Sequence, residues 1–331
     1  DGIVPNKVTF INMVEACASQ AAFREGKCMH KCIICMRIEL DVSIETALLK
    51  MYGICGSFMD AWDVFDRMVD RDVLSWNTIV ALYVNHGHGN MALHLFQLMQ
   101  GQGVLPNEAT YGFLLVACTG ITSVSDGIEI HAQIQGTGEI EPNVVSNTNL
   151  LNMYSKCGCL EKSRTLFDKM VEKNIFSWTA MIAGYAQHSE GHAAVNLTNE
   201  MWKDGLTPNH VTFVGVLSAC SHAGLIEEAI SQFDHMYHFF KIKPITEHFV
   251  CMVDLLGRAG CLDEAELYIN KLTCKPSAMV WRALLGACRT FNDRDRAKCI
   301  AKCIIELQPD DEGAFVLFSN ICGAAVNAYD D

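Results

Sequence analysis

The chain has 331 residues, of which 50% are hydrophobic and 19% are charged, and its formal net charge is −13. This composition, with only 7 prolines, excludes a disordered chain, and no apolar run reaches the roughly 18 residues that a membrane-spanning helix requires. The negative net charge argues against a uniformly basic nucleic-acid-binding surface. The same net charge is compatible with a groove that is less acidic than the rest of the surface.

The 16 cysteines indicate a reducing compartment rather than a disulfide scaffold, because the chain is far larger than a disulfide-stapled domain. Several cysteines lie inside apolar helical patterns, each directly after an alanine: Cys17, Cys118, Cys220 and Cys288. A buried free cysteine packs as a small apolar side chain. We therefore expect thiols and no structural disulfide.

Three kinds of related segment alternate along the chain. One kind ends in Ala-Cys, one contains Met-Tyr and one contains Ser-Trp. The copies cover residues 8–17, 109–118 and 211–220, then 47–56, 149–158 and a more diverged 252–260, then 73–77 and 175–179. An internal repeat of this length indicates a solenoid, which grows by adding units instead of splitting into domains.

The repeat divides the chain into short units in order. Residues 1–6 match the ends of later units and are interpreted as the end of a preceding repeat. The eight repeats that we expect next are 7–41, 42–72, 73–107, 108–143, 144–174, 175–209, 210–245 and 246–277, which together cover 7–277. Residues 278–331 form a further unit at 278–311 and a truncated one at 312–331.

The residue pattern of each unit predicts two helices. In the second unit, Leu48, Leu49 and Tyr52 lie at helical spacing, and a Cys-Gly turn follows them. Ala61 and Phe65 then share one face of a second helix. One such hairpin cannot bury both apolar faces, so neighbouring hairpins must stack. The predicted fold is all-α, a right-handed α-solenoid (superhelix) of helix-turn-helix repeats.

Several segments resemble the pentatricopeptide repeat (PPR) family of land plants, in the PLS subclass that alternates long, short and standard units. The resembling segments are Ser-Trp-Asn ending at Asn77, Met-Tyr-Ser-Lys-Cys-Gly ending at Gly158, Leu-Ser-Ala-Cys-Ser-His-Ala-Gly ending at Gly224 and Asp-Leu-Leu-Gly-Arg-Ala-Gly ending at Gly260. Residues 280–288 and 306–309 resemble the E-type C-terminal extension units of that subclass. The resemblance covers nearly the whole chain.

The resemblance implies sequence-selective binding of single-stranded RNA, about one base per repeat, in a mitochondrion or chloroplast. Members of the subclass mostly specify C-to-U editing of organelle transcripts. Two alternatives stay open: a factor for splicing, processing or stability of an organelle RNA, and a protein-interaction scaffold of the tetratricopeptide type. The acidic balance favours the scaffold, and the polar residue pairs described next favour RNA.

The resemblance also implies that the fifth and the last residue of each unit contact the base. A terminal Asp only accepts hydrogen bonds, which suits guanine or uracil, whereas a terminal Asn can donate to adenine or cytosine. Thr at the fifth position leaves room for a purine, and Asn there suits a pyrimidine. The predicted pairs are Thr46 with Asp72 for guanine, Asn77 with Asn107 for a pyrimidine with cytosine favoured, and Thr148 with Asn174 and Thr179 with Asn209 for adenine.

Other units are expected to make weaker contacts with RNA. Their pairs are Ile11 with Asp41, Gly112 with Asn143, Val214 with Ile245, and Val250 with Ser277. Leu74, Val145 and Phe176, each second in its unit, are expected to stack on bases. The alternative for every polar pair is an ordinary helix N-cap, because Asn and Asp are preferred at that position.

No catalytic or metal site is expected. Cys28 and Cys32 share a helix face, but further ligands for zinc are missing, so neither a metal nor another cofactor is predicted. His188-Ser189-Glu190 matches half of the cytidine deaminase signature, and the other half is absent because no proline precedes a cysteine. The chain is therefore predicted not to be an enzyme. An editing role requires a deaminase or other editing factors, in trans or in a missing C-terminal part.

Overall fold

The computed structural model describes residues 5–136, 143–272 and 276–308, together with residues 313 and 316. Within these ranges the chain forms 18 α-helices and no β-strand, which confirms the predicted all-α class. The helices pair into consecutive hairpins.

The first helices of the hairpins are α1 (Lys7–Ser19), α3 (Val42–Ile54), α5 (Val73–Asn85), α7 (Glu108–Ile121), α9 (Val144–Lys156), α11 (Ile175–Gln187), α13 (His210–Ala223), α15 (Thr246–Arg258) and α17 (Ala278–Thr290). The second helices are α2 (Phe23–Cys35), α4 (Phe58–Arg67), α6 (Gly89–Gly101), α8 (Val124–Gly136), α10 (Leu160–Lys169), α12 (Gly191–Lys203), α14 (Ile226–Asp234), α16 (Leu262–Asn270) and α18 (Arg294–Leu307). Every first helix begins at the first residue of a proposed unit. The division of those units into eight repeats and an extension stays a prediction, and most of residues 312–331 lie outside the described part.

The chain divides into two compact units, residues 1–159 with α1–α9 and residues 160–331 with α10–α18. In the first unit α1, α3, α5, α7 and α9 pack side by side in chain order, and in the second unit α11, α13, α15 and α17 do the same. In the first unit α2, α4, α6 and α8 each pack against the first helix before them and the one after them, and in the second unit α12, α14 and α16 do the same. The first helices of each unit therefore form one layer, and the second helices form another.

The hairpin turns follow from residues that end helices. Gly56, Gly158 and Gly260 each follow a first helix, with φ angles of 75°, 82° and 82°. This left-handed conformation costs glycine nothing, because glycine has no Cβ to clash with the backbone, and it closes the helix C-terminus. The Cys-Gly and Ala-Gly pairs of the repeat thus mark the points where the chain reverses.

The core between the two layers is apolar and tightly packed. Trp76 of α5 is 1% exposed and contacts Phe65 of α4 edge-on, with ring centroids 4.8 Å apart. Trp178 repeats this contact with Phe167 at 4.9 Å. Large aromatic side chains contribute much of the stability of such a core because each removes a large apolar area from water.

The thiols of the described cysteines are free. Cys118, Cys220 and Cys288 are buried, as expected for small core side chains, whereas Cys28 is exposed. No three His, Cys, Asp or Glu side chains of the described ranges are grouped as metal ligands. None of the described helices is both long and apolar enough to cross a membrane.

Candidate nucleic-acid interface

The second residue of many first helices is an apolar side chain exposed to solvent. Leu74, Val145 and Phe176 are 59%, 63% and 71% exposed. The same position is apolar and exposed in three residues that the sequence analysis did not single out, although the aligned repeat contains them: Val8, Val211 and Met279. Each of these side chains is available to stack on a planar base.

The last residue of most units caps the N-terminus of the next first helix. The Oδ1 atoms of Asp72, Asn107 and Asn209 accept hydrogen bonds from the backbone N–H three residues later, at 2.8, 3.0 and 3.0 Å. Asp41, Asn143 and Asn174 cap their helices in the same way. The side chains of Ile245 and Ser277 make no such bond.

Capping and base recognition are compatible, because the cap occupies only one of the two terminal atoms. The backbone N–H requires an acceptor, so Oδ1 of Asn must face the helix and the Nδ2 donor is left on the other side. The Nδ2 atoms of Asn107 and Asn209 make no hydrogen bond within the described ranges. The cap therefore orients the amide so that a donor remains for a base.

Asn77 and Asn107 form one hydrogen-bonded network in the first unit. Asn77 is 7% exposed, and its Nδ2 donates to Asn107 Oδ1 at 3.0 Å. The hydroxyl of Thr110, third in the following unit, lies 2.7 Å from Asn77 Oδ1 and 3.0 Å from Asn107 Oδ1. Its single hydrogen can serve only one of these oxygens at a time, and the shorter distance favours Asn77. Asn107 Oδ1 then accepts from two N–H groups.

A similar arrangement occurs at Thr179 and Asn209 in the second unit. The Thr179 hydroxyl lies 3.3 Å from the hydroxyl of Thr212, which in turn lies 3.1 Å from Asn209 Oδ1. Thr212, like Thr110, is the third residue of its unit. Sequence reasoning missed the role of this third residue, although Thr or Ser recurs there in most units.

The remaining residues of the predicted base-contacting pairs make only local hydrogen bonds or none in the described ranges. Thr46 is 9% exposed, and its Oγ1 has no hydrogen-bond partner in the described part of the chain. Thr148 donates to the Val144 carbonyl oxygen at 2.6 Å. Asn174 accepts from the N–H groups of Phe176 and Ser177, both at 3.0 Å. Thr148 belongs to the first compact unit and Asn174 to the second.

In two units the first residue engages the last. Lys7 pairs with Asp41, and this hydrogen bond holds the pKa of the Asp41 carboxyl below its ordinary value. Glu108 accepts a hydrogen bond from Asn143 Nδ2, the donor that the cap leaves over. A base would have to displace these partners. The contact therefore adds a physical reason to expect weak base discrimination by these two units.

The other residues expected to contact RNA weakly also lie in first helices. Ile11, Val214 and Val250 are partly exposed, and the Val214 carbonyl lies 3.9 Å from Cys251 Sγ. A Cβ on Gly112 would lie 3.6 Å from Asn149 Nδ2, which is ordinary contact.

Two open pockets lie on the first-helix layer of the first unit. One, of about 470 Å³, is lined by residues of α3, α5 and α7 that include Lys50, Leu74 and Asn77. The other, of about 580 Å³, lies between α7 and α9 and is lined by residues that include Asn107 and Val145. Predicted stacking residues and predicted base-contacting residues therefore line common pockets on this surface.

Comparison with known proteins gives matches over most of the chain. The PPR repeat family model matches residues 71–119 and 173–222. The PPR repeat model matches 46–73, 148–175, 211–238 and 247–275. Pentatricopeptide repeat-containing protein At2g03880, mitochondrial, from Arabidopsis thaliana, is 37% identical over 321 residues, which cover 97% of this chain and 50% of that protein. At1g06140, mitochondrial, from the same plant is 36% identical and is covered to 57%. The chain spans about half the length of such relatives.

Solved structures share the fold. The crystal structure of the pentatricopeptide repeat protein PPR10 in complex with an 18-nt psaJ RNA element matches with a TM-score of 0.74 at 17% identity. The match covers 97% of this chain and 51% of that one. PPR10 from maize matches with a TM-score of 0.57 at 20% identity, over 99% of this chain and 52% of that one.

Proposed function

Because the chain belongs to the plant pentatricopeptide repeat family, we propose that it binds single-stranded RNA on its first-helix layer, about one base per hairpin. The observation that supports this most directly is the orientation of the capping residues. The cap at Asn107 and at Asn209 leaves an amide donor without a partner within the described ranges, beside a polar fifth residue. A donor held in a fixed direction is what recognition of a base edge requires.

The chemistry of each pair suggests a base. Asn107 Nδ2 donates to cytosine N3, and Asn77 beside it leaves room for a pyrimidine. Asn209 Nδ2 donates to adenine N1, and the smaller Thr179 accommodates a purine. Asp72 has a second carboxylate oxygen that can accept from guanine N1–H, and it is assigned to the same unit as Thr46. The assignment of adenine to Thr148 and Asn174 stays an expectation from the resemblance.

Stacking and charge complete the proposed interface. The exposed side chains Leu74, Val145 and Phe176 provide apolar contact with base faces, and Val8, Val211 and Met279 extend the set. Lys50 is exposed beside Leu74 and Asn77 in the same pocket and is suited to a phosphate. In a chain of net charge −13, such local placement matters more than the total.

At the level of the cell, we propose a specificity factor for C-to-U editing of organelle transcripts, in the mitochondrion, as the names of some relatives suggest. The assignment to the PLS subclass rests on the alternating segments, and the E-type extension at 278–331 rests on the resemblance of residues 280–288 and 306–309. Catalysis is proposed to come from a deaminase or other editing factors. A factor for splicing, processing or stability would use the same interface.

The test is a filter-binding selection with a randomised pool of short single-stranded RNA, followed by sequencing of the retained fraction. The expected result is enrichment of one ordered motif, with cytosine at the position assigned to Asn107 and adenine three positions later at that assigned to Asn209. Failure to retain RNA above the level of duplex DNA would contradict the proposal and favour a protein-interaction scaffold. Conversion of cytidine to uridine by the purified chain alone would contradict the non-catalytic role.

A further inference from the structure

A separate pocket of about 160 Å³ lies in the second-helix layer of the second unit. One wall is the C-terminal part of α12, with Asn199 and Trp202. The opposite wall is the end of α14 and the π-helical turn His235–Phe239 that continues it. None of the residues assigned above to RNA contact lines this pocket.

The walls are aromatic, and two of the rings are exposed. Trp202 and Phe239 are 50% and 57% exposed, with ring centroids 5.3 Å apart at an interplanar angle of 88°. Phe240 instead packs inward against Phe213, with centroids 5.5 Å apart. The chain at the end of the π-helical turn thus packs the half-buried Phe240 against Phe213 and leaves Phe239 exposed at the pocket mouth. Such turns are frequent at functional sites.

The pocket also contains an amide that is not hydrogen-bonded to the described part of the chain. Gln232 is 7% exposed, and its side chain makes no hydrogen bond to any other described residue. Its amide atoms are not among the fully buried polar atoms without a partner, so they still reach solvent through the pocket. A ligand that fills the pocket would remove that water and must offer hydrogen bonds in return. Asn199, across the pocket on α12, likewise makes no side-chain hydrogen bond within those ranges. Each amide offers one acceptor and two donors.

These features together suit a planar ring with a polar edge. An aliphatic or phenyl side chain of a protein partner would stack on Trp202 but would leave the Gln232 amide unpaired. A nucleobase satisfies both, since its face stacks on an aromatic ring and its edge pairs with an amide. Lys203 and Lys241 lie close in sequence to the pocket lining, as do Glu200, Asp204 and Asp234, so the nearby charges are mixed.

We propose that this pocket between α12 and α14 is a nucleobase-binding site, in which Trp202 stacks on the base and the amides of Gln232 and Asn199 bind its edge. Adenine is the preferred base, because a Gln or Asn amide pairs with its N6 and N7 through two hydrogen bonds. The base comes either from a free nucleotide or from a flanking part of a bound RNA strand. The site does not depend on base selection by the first helices.

The experiment is equilibrium dialysis of the full chain against labelled adenosine monophosphate and, separately, a short oligoadenylate. Trp202→Ala and Gln232→Leu should each weaken binding about tenfold or more, as loss of one stacked base or one paired edge does. Leu267→Ala is the matched control, since Leu267 is a 60% exposed apolar residue of a second helix outside the pocket. Gln232→Leu keeps the side-chain size and removes the unpaired amide, so its thermal midpoint should not fall.

The two ligands separate the two sources. Equal affinity for mononucleotide and oligoadenylate indicates a free nucleotide, whereas much tighter oligoadenylate binding that Trp202→Ala removes indicates an RNA strand. Asn107→Ala with Asn209→Ala should leave mononucleotide binding unchanged, which distinguishes this pocket from the first-helix layer. The proposal is overturned if Trp202→Ala and Gln232→Leu bind both ligands as the unchanged chain does. It is also overturned if neither ligand binds.

Discussion

Replacing Asn107 by Asp tests whether the N-cap also selects a base. Asp is as good an N-cap as Asn, so its Oδ1 should still accept from the Thr110 N–H and from Asn77 Nδ2. The only atom that changes chemistry is the outward one, where the Nδ2 donor becomes a carboxylate oxygen. We expect the preferred base at this position to change from cytosine, whose N3 accepts, to uracil, whose N3–H donates.

The size of the change in base preference follows from two hydrogen bonds, since the variant gains one with uracil and loses one with cytosine. An unsatisfied hydrogen-bonding group at a buried edge costs about 1–3 kcal/mol. Preference between the two bases should therefore shift by about tenfold or more. The free energy of unfolding should change by only a few tenths of a kcal/mol, because both residues cap a helix about equally well.

The assay is fluorescence anisotropy with the RNA selected by the unchanged chain and with its three single-base variants at the assigned position. Asn6→Asp is the matched control, because Asn6 caps α1 in the same way and belongs to none of the assigned base-contacting pairs. That control should shift base preference less. If Asn107→Asp weakens binding to all four bases equally, Asn107 is only a cap and the proposed base recognition is wrong.

Three further predictions concern stability and reactivity. Gly89→Ala should destabilise the chain by about 1–3 kcal/mol in urea denaturation, since the new Cβ would lie 2.8 Å from a backbone oxygen of α7. Gly120→Ala is the control, because open space surrounds this helical glycine, and it should stabilise the chain by about 0.5–1 kcal/mol. Equal effects of the two substitutions would refute the close packing of Gly89 against α7. Burial raises the pKa of Cys118 to about 12, so mass spectrometry after alkylation at pH 8 should find Cys28 modified and Cys118 unmodified. Burial lowers the pKa of His248, so the unfolded chain binds a proton at this residue more readily than the folded chain does. The free energy of unfolding should therefore decrease as the pH is lowered below 6.5. The decrease should be smaller in His248→Gln.

Much of the local structure follows from the sequence, because helix boundaries depend on neighbouring residues. Asn107 and Asn209 begin helices since their short polar side chains accept from nearby N–H groups, and Gly56 and Gly158 end the hairpin turns. The apolar spacing then requires stacked hairpins. These are contacts within a few residues, so the all-α repeat fold could be predicted without coordinates.

The resemblance to the repeat family implied which residues of a unit act together, but only the tertiary structure shows which hydrogen bonds their atoms make. Asn77 and Asn107 are 30 residues apart, and the shared role of Asn107 Oδ1 as cap and as acceptor from Asn77 depends on how closely α5 and α7 stack. The engagement of Asn143 by Glu108 has the same origin. Neither spacing nor composition contains the distance between two helices, which results from the packing of the core between them.

The pocket at Trp202 lay outside every pattern in the sequence. The other units do not repeat Trp202, Gln232 and Phe239 at matching positions. The π-helical turn His235–Phe239 likewise does not recur in the described ranges. The repeat determined, through local hydrogen bonding and apolar periodicity, that helices form and stack. The packing of α12 against its neighbours determined that an unpaired amide and two exposed rings meet, because that depends on side chains from distant parts of the chain coming within a few ångströms.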